Sequence, residues 1–369
     1  MAVNVLVVNA GSSSLKLTVL GGDDTVLAEH HAERWNGEPG PLRDFLATAP
    51  PIDAVGHRVV HGGAEFTEPV VVDDRVRAAL EDLTALAPLH QPRALAGIDA
   101  ASEALPGVPQ VACFDTAFHA TMPEHATTYA LPLEWREKWG LRRYGFHGLS
   151  HAYASRRAVE LAGTPDARVV SCHLGAGASL AAVQRGRCVD TTMGFTPLAG
   201  LVMATRSGDV DPGLLVWLLR AGLPLDDLEA GLEHRSGLAG LGGVGGDLRD
   251  VRRAAEAGDE RAALALRVYV HRLCQSIAAM TASLGGVDLL VFTGGVGEHD
   301  ALLRAEVVGK LAFLHELDVL VVRAREDLEI AAQTRAVAQA TPVRPHRVPS
   351  STTVPGPAAL SPRTRPDRR

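Results

Sequence analysis

Apolar positions run unbroken from Val5 to Val8, give way to Asn9-Ala10-Gly11-Ser12-Ser13-Ser14, and resume in the alternation Leu15-Lys16-Leu17-Thr18-Val19-Leu20. Two apolar strands separated by small polar residues predict a β-hairpin. Glycine-rich phosphate loops usually open a helix whose first N–H groups face the anion, so a serine-rich tip between two strands is a different device. Further along, the pattern predicts strands over 54–60, 110–115, 167–174, 179–184, 288–295 and 317–323. Helical periods cover 75–86, 152–161, 213–220 and the long stretch 259–284, which Gly285 closes. Strands alternating with helices make an α/β protein.

The opening pattern recurs. The run from Arg168 to Gly186 repeats its plan: an apolar strand, a loop of Gly, Ala and Ser, then a strand beginning Ser179-Leu180 as the first begins Ser14-Leu15. Two such hairpins predict two related domains, each starting with a hairpin whose tip approaches phosphate. From Ala336 to Arg369 the hydrophobic period vanishes, and prolines 342, 345, 349, 355, 357, 362 and 366 accompany arginines 344, 347, 363, 365, 368 and 369. That composition predicts a disordered basic tail.

With 369 residues, 46% of them hydrophobic, the chain carries enough apolar material for two ordinary cores. A formal net charge of -7 provides no global basic field, which argues against nucleic acid or an anionic membrane as main partner. No apolar run approaches a membrane span, and Met1-Ala2 leads into a strand without a basic segment or cleavage site. The expected location is the cytoplasm. Cys113, Cys172, Cys188 and Cys274 show no close pairing and read as reduced thiols.

Candidate chemistry sits at the breaks in the pattern. Asn9, Ser12, Ser14 and Lys16 offer an amide, two hydroxyls and one of only three lysines to a phosphate. Arg58 lies inside an otherwise apolar strand and must reach an edge, a carboxylate or a cleft holding an anion. Asp115 follows an apolar strand, where α/β folds open on ligands and where turn aspartates are also common. His147 and His151 flank the start of a helix that Ser150 can cap, but their spacing lacks the glutamate and cysteines of a zinc site. The irregular stretch 190–211 ends in Arg206-Ser207-Gly208-Asp209, either a surface ion pair or an anion clamp. Asp247 is placed to cap a following helix. A strand, a Gly294-Gly295-Val296-Gly297-Glu298 loop and a helix suit a nucleotide.

Taken in order, the segments VNAGSSSLK, GHRVVHGG, LAPLH, FDTAFH, RYGFHGLSH, HLGAGAS, DTTMGFTPLAGL with TRSGDVDP, FTGGVGE and REDLEIA resemble the acetate kinase family, within the superfamily of acetate and sugar kinases, heat-shock chaperones and actin. The resemblance implies two ribonuclease H-like (actin-like ATPase) domains with a central nucleotide cleft. Residues 1–117 plus 328–335 would form the N-terminal domain, 118–327 the C-terminal domain with the nucleotide site, and 336–369 the tail. It implies reversible, direct in-line phosphoryl transfer from ATP to acetate, giving acetyl phosphate and ADP, with Mg2+ or in its place Mn2+, in a cytoplasmic homodimer. A propionate or other short-chain carboxylate kinase is the neighbouring alternative, and an actin- or chaperone-like ATPase the remote one.

The resemblance also implies roles. Metal positions fall on Asn9 and Glu326; Asp115, His147 and Arg206 are the catalytic set. Arg58 binds the substrate carboxylate, with Val60, Leu89, Phe146 and Pro197 around its methyl group. Val60, rather than a smaller residue, favours acetate over propionate. The nucleotide side takes Ser12, Ser14 and Lys16, then His173, Leu174, Gly175, Ala176 and Gly177, then Asp247, Leu248 and Arg249, and finally Gly295, Val296, Gly297, Glu298 and His299. The chain departs from the family where Asn is usual at Ala176 and His299, where Arg325 replaces Asn beside the metal position, where GGD precedes Leu248, and in a short 16–58 stretch. Since acetate is ionised at neutral pH, Asp115 is expected to orient its neighbours rather than act as a base.

Overall fold

A computed structural model of the protein describes residues 3–11, 14–88, 90–315 and 317–340. The first sheet holds β1 (Val5–Ala10), β2 (Ser14–Leu20), β3 (Val26–Glu33), β4 (Ala54–Val59), β5 (Val70–Val71) and β6 (Gln110–Phe114), in the order β3-β2-β1-β4-β6-β5. The second holds β7 (Arg168–Leu174), β8 (Ala178–Gln184), β9 (Arg187–Thr191), β10 (Leu289–Thr293) and β11 (Asp318–Val321), in the order β11-β10-β7-β8-β9. Each sheet begins as a three-strand antiparallel meander and continues with parallel strands, β4 and β6 after β1, β10 and β11 after β7. The hairpin echo seen in the sequence is therefore one corner of a repeated topology. The whole is the mixed α/β, actin-like ATPase type of architecture.

The central strands are apolar on both faces because both faces are covered. One side of the first sheet packs Leu6, Val8, Leu15, Leu17 and Val55 with Trp35 and the helix Gly40–Leu46. The other side packs Val5, Val7, Val111 and Cys113 under Ile330 and Ala331 of the helix Glu326–Ala340. In the second sheet the helix Glu260–Leu284 lays Tyr269, Leu273 and Ile277 against Val170, Cys172, Leu180 and Phe292. It starts at Asp259, whose carboxylate accepts from the Arg261 and Ala262 N–H groups, and ends at Gly285 with φ 67°. All four thiols are free, and Cys113, Cys172 and Cys188 are buried. No helix among the described residues is long and apolar enough to cross a membrane.

The chain crosses between the sheets twice. It leaves β6 at Asp115 and enters β7 after the helix Gly148–Ala162, and it leaves β11 to return onto the first sheet through the helix Glu326–Ala340. These two helices pack on each other, with Arg156 donating to Glu329 at 2.6 Å.

Three expectations need correction. The tail does not lose its helix at Ala336; the helix runs to Ala340, because Ala336 and Val337 extend it and Val337 packs with the core beside Ile330. Residues 341–369 lie outside the described residues. Ser150 does not cap the helix Gly148–Ala162; it sits inside the first turn and its hydroxyl bonds His173 Nδ1 at 2.8 Å. Gly294 to Glu298 form no loop; Gly294 takes φ 77° against the Leu174 backbone, and the helix Gly294–His299 starts at once.

Burial also sets an acid limit on stability. His57, bonded to Gln110 Oε1 at 2.8 Å, and His119, bonded to the Phe146 carbonyl at 2.9 Å, are both pushed by burial to a pKa of about 4. Unfolded imidazoles take up protons below about 6.5, whereas these two stay neutral until about 4. Their contribution is thus complete above pH ~6.5 and lost as pH falls toward their folded values, by up to about 1.4 kcal/mol per pH unit per histidine. Urea unfolding in that window should show the decline, and replacing His57 or His119 by glutamine should flatten it.

Candidate active site

The parallel strands β1, β4 and β6 end at one edge of the first sheet, where side chains converge as carboxyl ends of strands do in α/β folds. Asn9 comes from the end of β1, Arg58 from the end of β4, and Asp115 follows β6 directly. Arg58 Nη2 donates to Asp115 Oδ2 at 2.6 Å and Nε donates to the same carboxylate at 3.1 and 3.4 Å, a forked pair. Arg58 Nη1 lies 3.4 Å from Asn9 Oδ1, and Glu326 Oε2, at the start of the last helix, is 4.0 Å from Nε. Asp115 is 2% exposed and Arg58 17%. Burial opposes the guanidinium charge, but Asp115 and Glu326 outweigh it and raise the Arg58 pKa. Burial, with Glu326 adding to it, holds the Asp115 carboxyl above the usual carboxylate value, while the guanidinium in contact pulls the other way. The carboxylate alternative for Arg58 is realised, and one edge of the guanidinium still carries uncommitted N–H groups.

The second group belongs to the other sheet. Gly148 donates its N–H to the Asp115 carbonyl at 2.9 Å, an approach that leaves no room for a Cβ, and this seats His147 at the head of its helix. His147 takes φ 56°, a left-handed conformation that a β-carbon disfavours. Its ring stacks on that of His173, with centroids 4.4 Å apart. Burial first, then the charges of His173, Arg58, His151 and Arg206, holds its pKa well below the usual imidazole value. Arg206, from the irregular stretch after β9, donates from Nη1 to the Pro197 carbonyl at 2.9 Å and has Glu233 at 3.5 Å from Nε. Burial lowers its pKa against Glu233. A Cβ on Gly177 would stand 3.4 Å from His147 Nε2 and 3.7 Å from Arg206 Nη1, so the bare glycine keeps open the space these two groups face.

Beyond Gly177 the second sheet opens into a cleft of about 910 Å³. Gly175 and Ala176 of the β7–β8 tip, Asp247, Leu248 and Arg249, and Gly295, Val296 and His299 line it, so three separate sequence segments meet there. Asp247 caps the helix Leu248–Glu256 through the Arg249 N–H at 2.9 Å. Leu174 turns its side chain into the core and Gly297 is buried, while the Glu298 carboxylate accepts from the Ala324 N–H at 2.9 Å. His173 and Gly177 sit on the His147 side. Lys16 is exposed on β2, opposite Asn9 in the hairpin register, and Ser14 closes the turn by accepting from the Gly11 N–H at 2.8 Å. Neither lines the cleft. Ser12 and Leu89 lie outside the described residues. Val60 and Phe146 are buried in one cluster with Ala87, and Pro197 stands next to Arg206.

Two partners escaped sequence reasoning. Glu233 faces Arg206, and His90 is held near pKa 4 by burial and then by the charges of Arg58, Arg206 and Arg93. The His90 signal was present in the LAPLH segment; nothing local marks Glu233.

The sequence model of the acetokinase family matches residues 42–337. The chain belongs to the acetokinase family. An acetate kinase of Shouchella clausii is 44% identical, with 84% of this chain and 87% of the relative covered, and one of Clavibacter sepedonicus is 47% identical, with 90% and 98% covered. Among solved structures, Porphyromonas gingivalis acetate kinase superposes with a TM-score of 0.85 at 38% identity, covering 91% of this chain and 99% of the other. A propionate kinase from Francisella tularensis gives 0.84 at 34%, covering 91% and 100%. The family model's match begins at residue 42; upstream of it, the structure pairs β1 with β4 and brings Asn9 to Arg58. As an acetokinase the chain is a carboxylate kinase, with ATP as phosphoryl donor.

Proposed function

We propose that the chain transfers a phosphoryl group reversibly between ATP and acetate, directly and in line, forming acetyl phosphate and ADP. The observation that carries this reading is the commitment of Asp115 to Arg58 by a forked ion pair. A carboxylate so engaged is no general base, and a carboxylate acceptor needs none. What the reaction does need is charge compensation, since two unit charges 4 Å apart repel by roughly 4 kcal/mol at an effective dielectric near 20. The free edge of Arg58 would hold the acetate carboxylate, with Val60, Phe146 and Pro197 around its methyl group. His147 and Arg206, which face one space across Gly177, would stabilise the phosphoryl in transit. The 910 Å³ cleft would hold the nucleotide.

The residues at the strand ends fit a magnesium ion. Asp115 and Glu326 bring two negative charges against the single positive charge of Arg58, and Asn9 adds a hard oxygen. Magnesium commonly takes one or two protein oxygens and keeps the rest of its shell for water and phosphate. Asn9 and Glu326 would hold it, Mn2+ could replace it, and when bound it neutralises nucleotide phosphate charge. The same reading has the chain as a cytoplasmic homodimer, which analytical ultracentrifugation would check.

The test is direct. Acetate, ATP and Mg2+ should yield acetyl phosphate, trapped as the hydroxamate; no product at millimolar acetate would sink the reading. The similarity to a propionate kinase structure keeps that acid as the alternative, to be settled by kcat/KM for two-, three- and four-carbon acids. Val60→Ala should shift the ratio toward propionate by roughly 10-fold or more, because one methylene in an apolar pocket is worth about 1–3 kcal/mol.

A further inference from the structure

A chain of buried side chains runs away from His147 into the second sheet. His147 Nδ1 meets Ser179 Oγ at 2.9 Å, Ser179 Oγ meets His151 Nε2 at 2.8 Å, and His151 Nδ1 meets Ser171 Oγ at 2.9 Å. Ser171, Ser179 and His151 are fully buried, so each donor must find its acceptor within the chain. Ser171 Oγ bonds nothing else among the described residues. If it accepted from His151, its own O–H would be buried without a partner, and the cost of desolvating that hydroxyl would stand uncompensated.

Only one direction uses every hydrogen: Ser171 donates to His151 Nδ1, His151 Nε2–H donates to Ser179, and Ser179 donates to His147 Nδ1. We infer that Ser171, His151 and Ser179 are positioning residues that fix His147 as the Nε2–H tautomer, so that it can only donate toward the space it shares with Arg206. The reverse order would aim a lone pair at an incoming phosphoryl oxygen. A doubly protonated ring is disfavoured by burial and by the neighbouring charges already named. The same count applies next door. Ser150 bonds only His173 Nδ1, at 2.8 Å, which leaves His173 with its hydrogen on Nε2 as well. The stacked pair thus presents two N–H donors and no acceptor.

This deepens, and rests on, the reading of His147 as a phosphoryl contact. Long-range 1H–15N spectra of histidine-labelled wild-type protein, with the His147 signals identified by their loss in His147→Gln, read the tautomer directly. The expected result is a protonated Nε2 and a bare Nδ1. In Ser171→Ala the chain loses its terminal donor; His147 should become a mixture of tautomers, with kcat falling in proportion to the Nε2–H fraction lost and KM for acetate and ATP unchanged. Ser171→Thr, which keeps the hydroxyl, should restore both. A wild-type His147 with its hydrogen on Nδ1, or a Ser171→Ala variant with unaltered tautomer signals, overturns the inference. Should Ser171→Ala not fold, the wild-type spectrum alone decides. Failure of wild-type protein to make acetyl phosphate would strike the reaction assignment instead and leave the spectrum as it is.

Discussion

Replacing Arg206 by alanine is expected to lower kcat for acetyl phosphate formation by about 10²–10³-fold, the usual cost of removing one preorganised donor from a developing charge, while KM for acetate moves little. Arg206 is half-buried, and its nearest carboxylate, Glu233, stands 3.5 Å away without the forked geometry that locks Arg58. Its Nη1 is aimed by the Pro197 carbonyl and lies beside the space over Gly177. A cation that burial makes costly, held by a carbonyl and one loose partner, gains most when negative charge builds up in front of it. That interaction belongs to the transition state, and its loss appears in kcat. Initial rates at saturating ATP over a range of acetate concentrations measure it. A rise in KM for acetate with kcat intact would instead put Arg206 in ground-state binding and refute the assignment.

Arg58→Ala should fail in the opposite way. Asp115 takes up the Nε and Nη2 side of the guanidinium and Asn9 one N–H of Nη1, and the remaining N–H groups are the ones a carboxylate can reach. Charge-assisted hydrogen bonds of this kind contribute about 1.5–3 kcal/mol, so KM for acetate should rise by roughly 10- to 100-fold, with a smaller change in kcat. Arg58→Lys should rescue only part of this, since a point charge cannot bond Asp115 and a substrate in one plane. Removing the arginine also strands Asp115, buried and beside Glu326, and the variant should melt lower. Asp115→Asn with Arg58→Ala separates the two effects: if stability returns and KM stays high, the guanidinium itself binds acetate. An unchanged KM in Arg58→Ala would refute its role.

Both arginines were visible in the sequence as charges placed where charges are costly, one inside an apolar strand and one in a long irregular stretch. The carboxyl ends of β1, β4 and β6 could be read because central strands are continuous apolar runs. β3 could not: it is an edge strand with Val26 and Leu27 about half exposed and Glu29 and Glu33 exposed after them, so no face had to be apolar. The helix at 294–299 was hidden by its glycines, which read as a loop until Gly294 is seen turning the chain tightly against Leu174. Ser150 looked like a cap because capping is local chemistry; its true partner, His173, lies on β7 of the second sheet. The same limit hid Glu233 and the order of hydrogens along Ser171, His151 and Ser179. Distances across the fold decide those, and no spacing along the chain encodes them.

The two crossings between the sheets have a mechanical meaning. One passes through Asp115 and His147, which the Gly148 to Asp115 hydrogen bond ties together; the other passes Ala324, anchored to Glu298, and delivers Glu326. Any rotation of one sheet against the other must turn about these two strands of backbone, and points near an axle travel least. Asp115, His147 and Glu326 sit on the axle, while the cleft assigned to the nucleotide is lined wholly by the second sheet's half of the molecule. A swing about that axle therefore moves the cleft as one piece while Asp115, His147 and Glu326 stay in register, as one jaw of a pair of pliers swings whole and the rivet stays put.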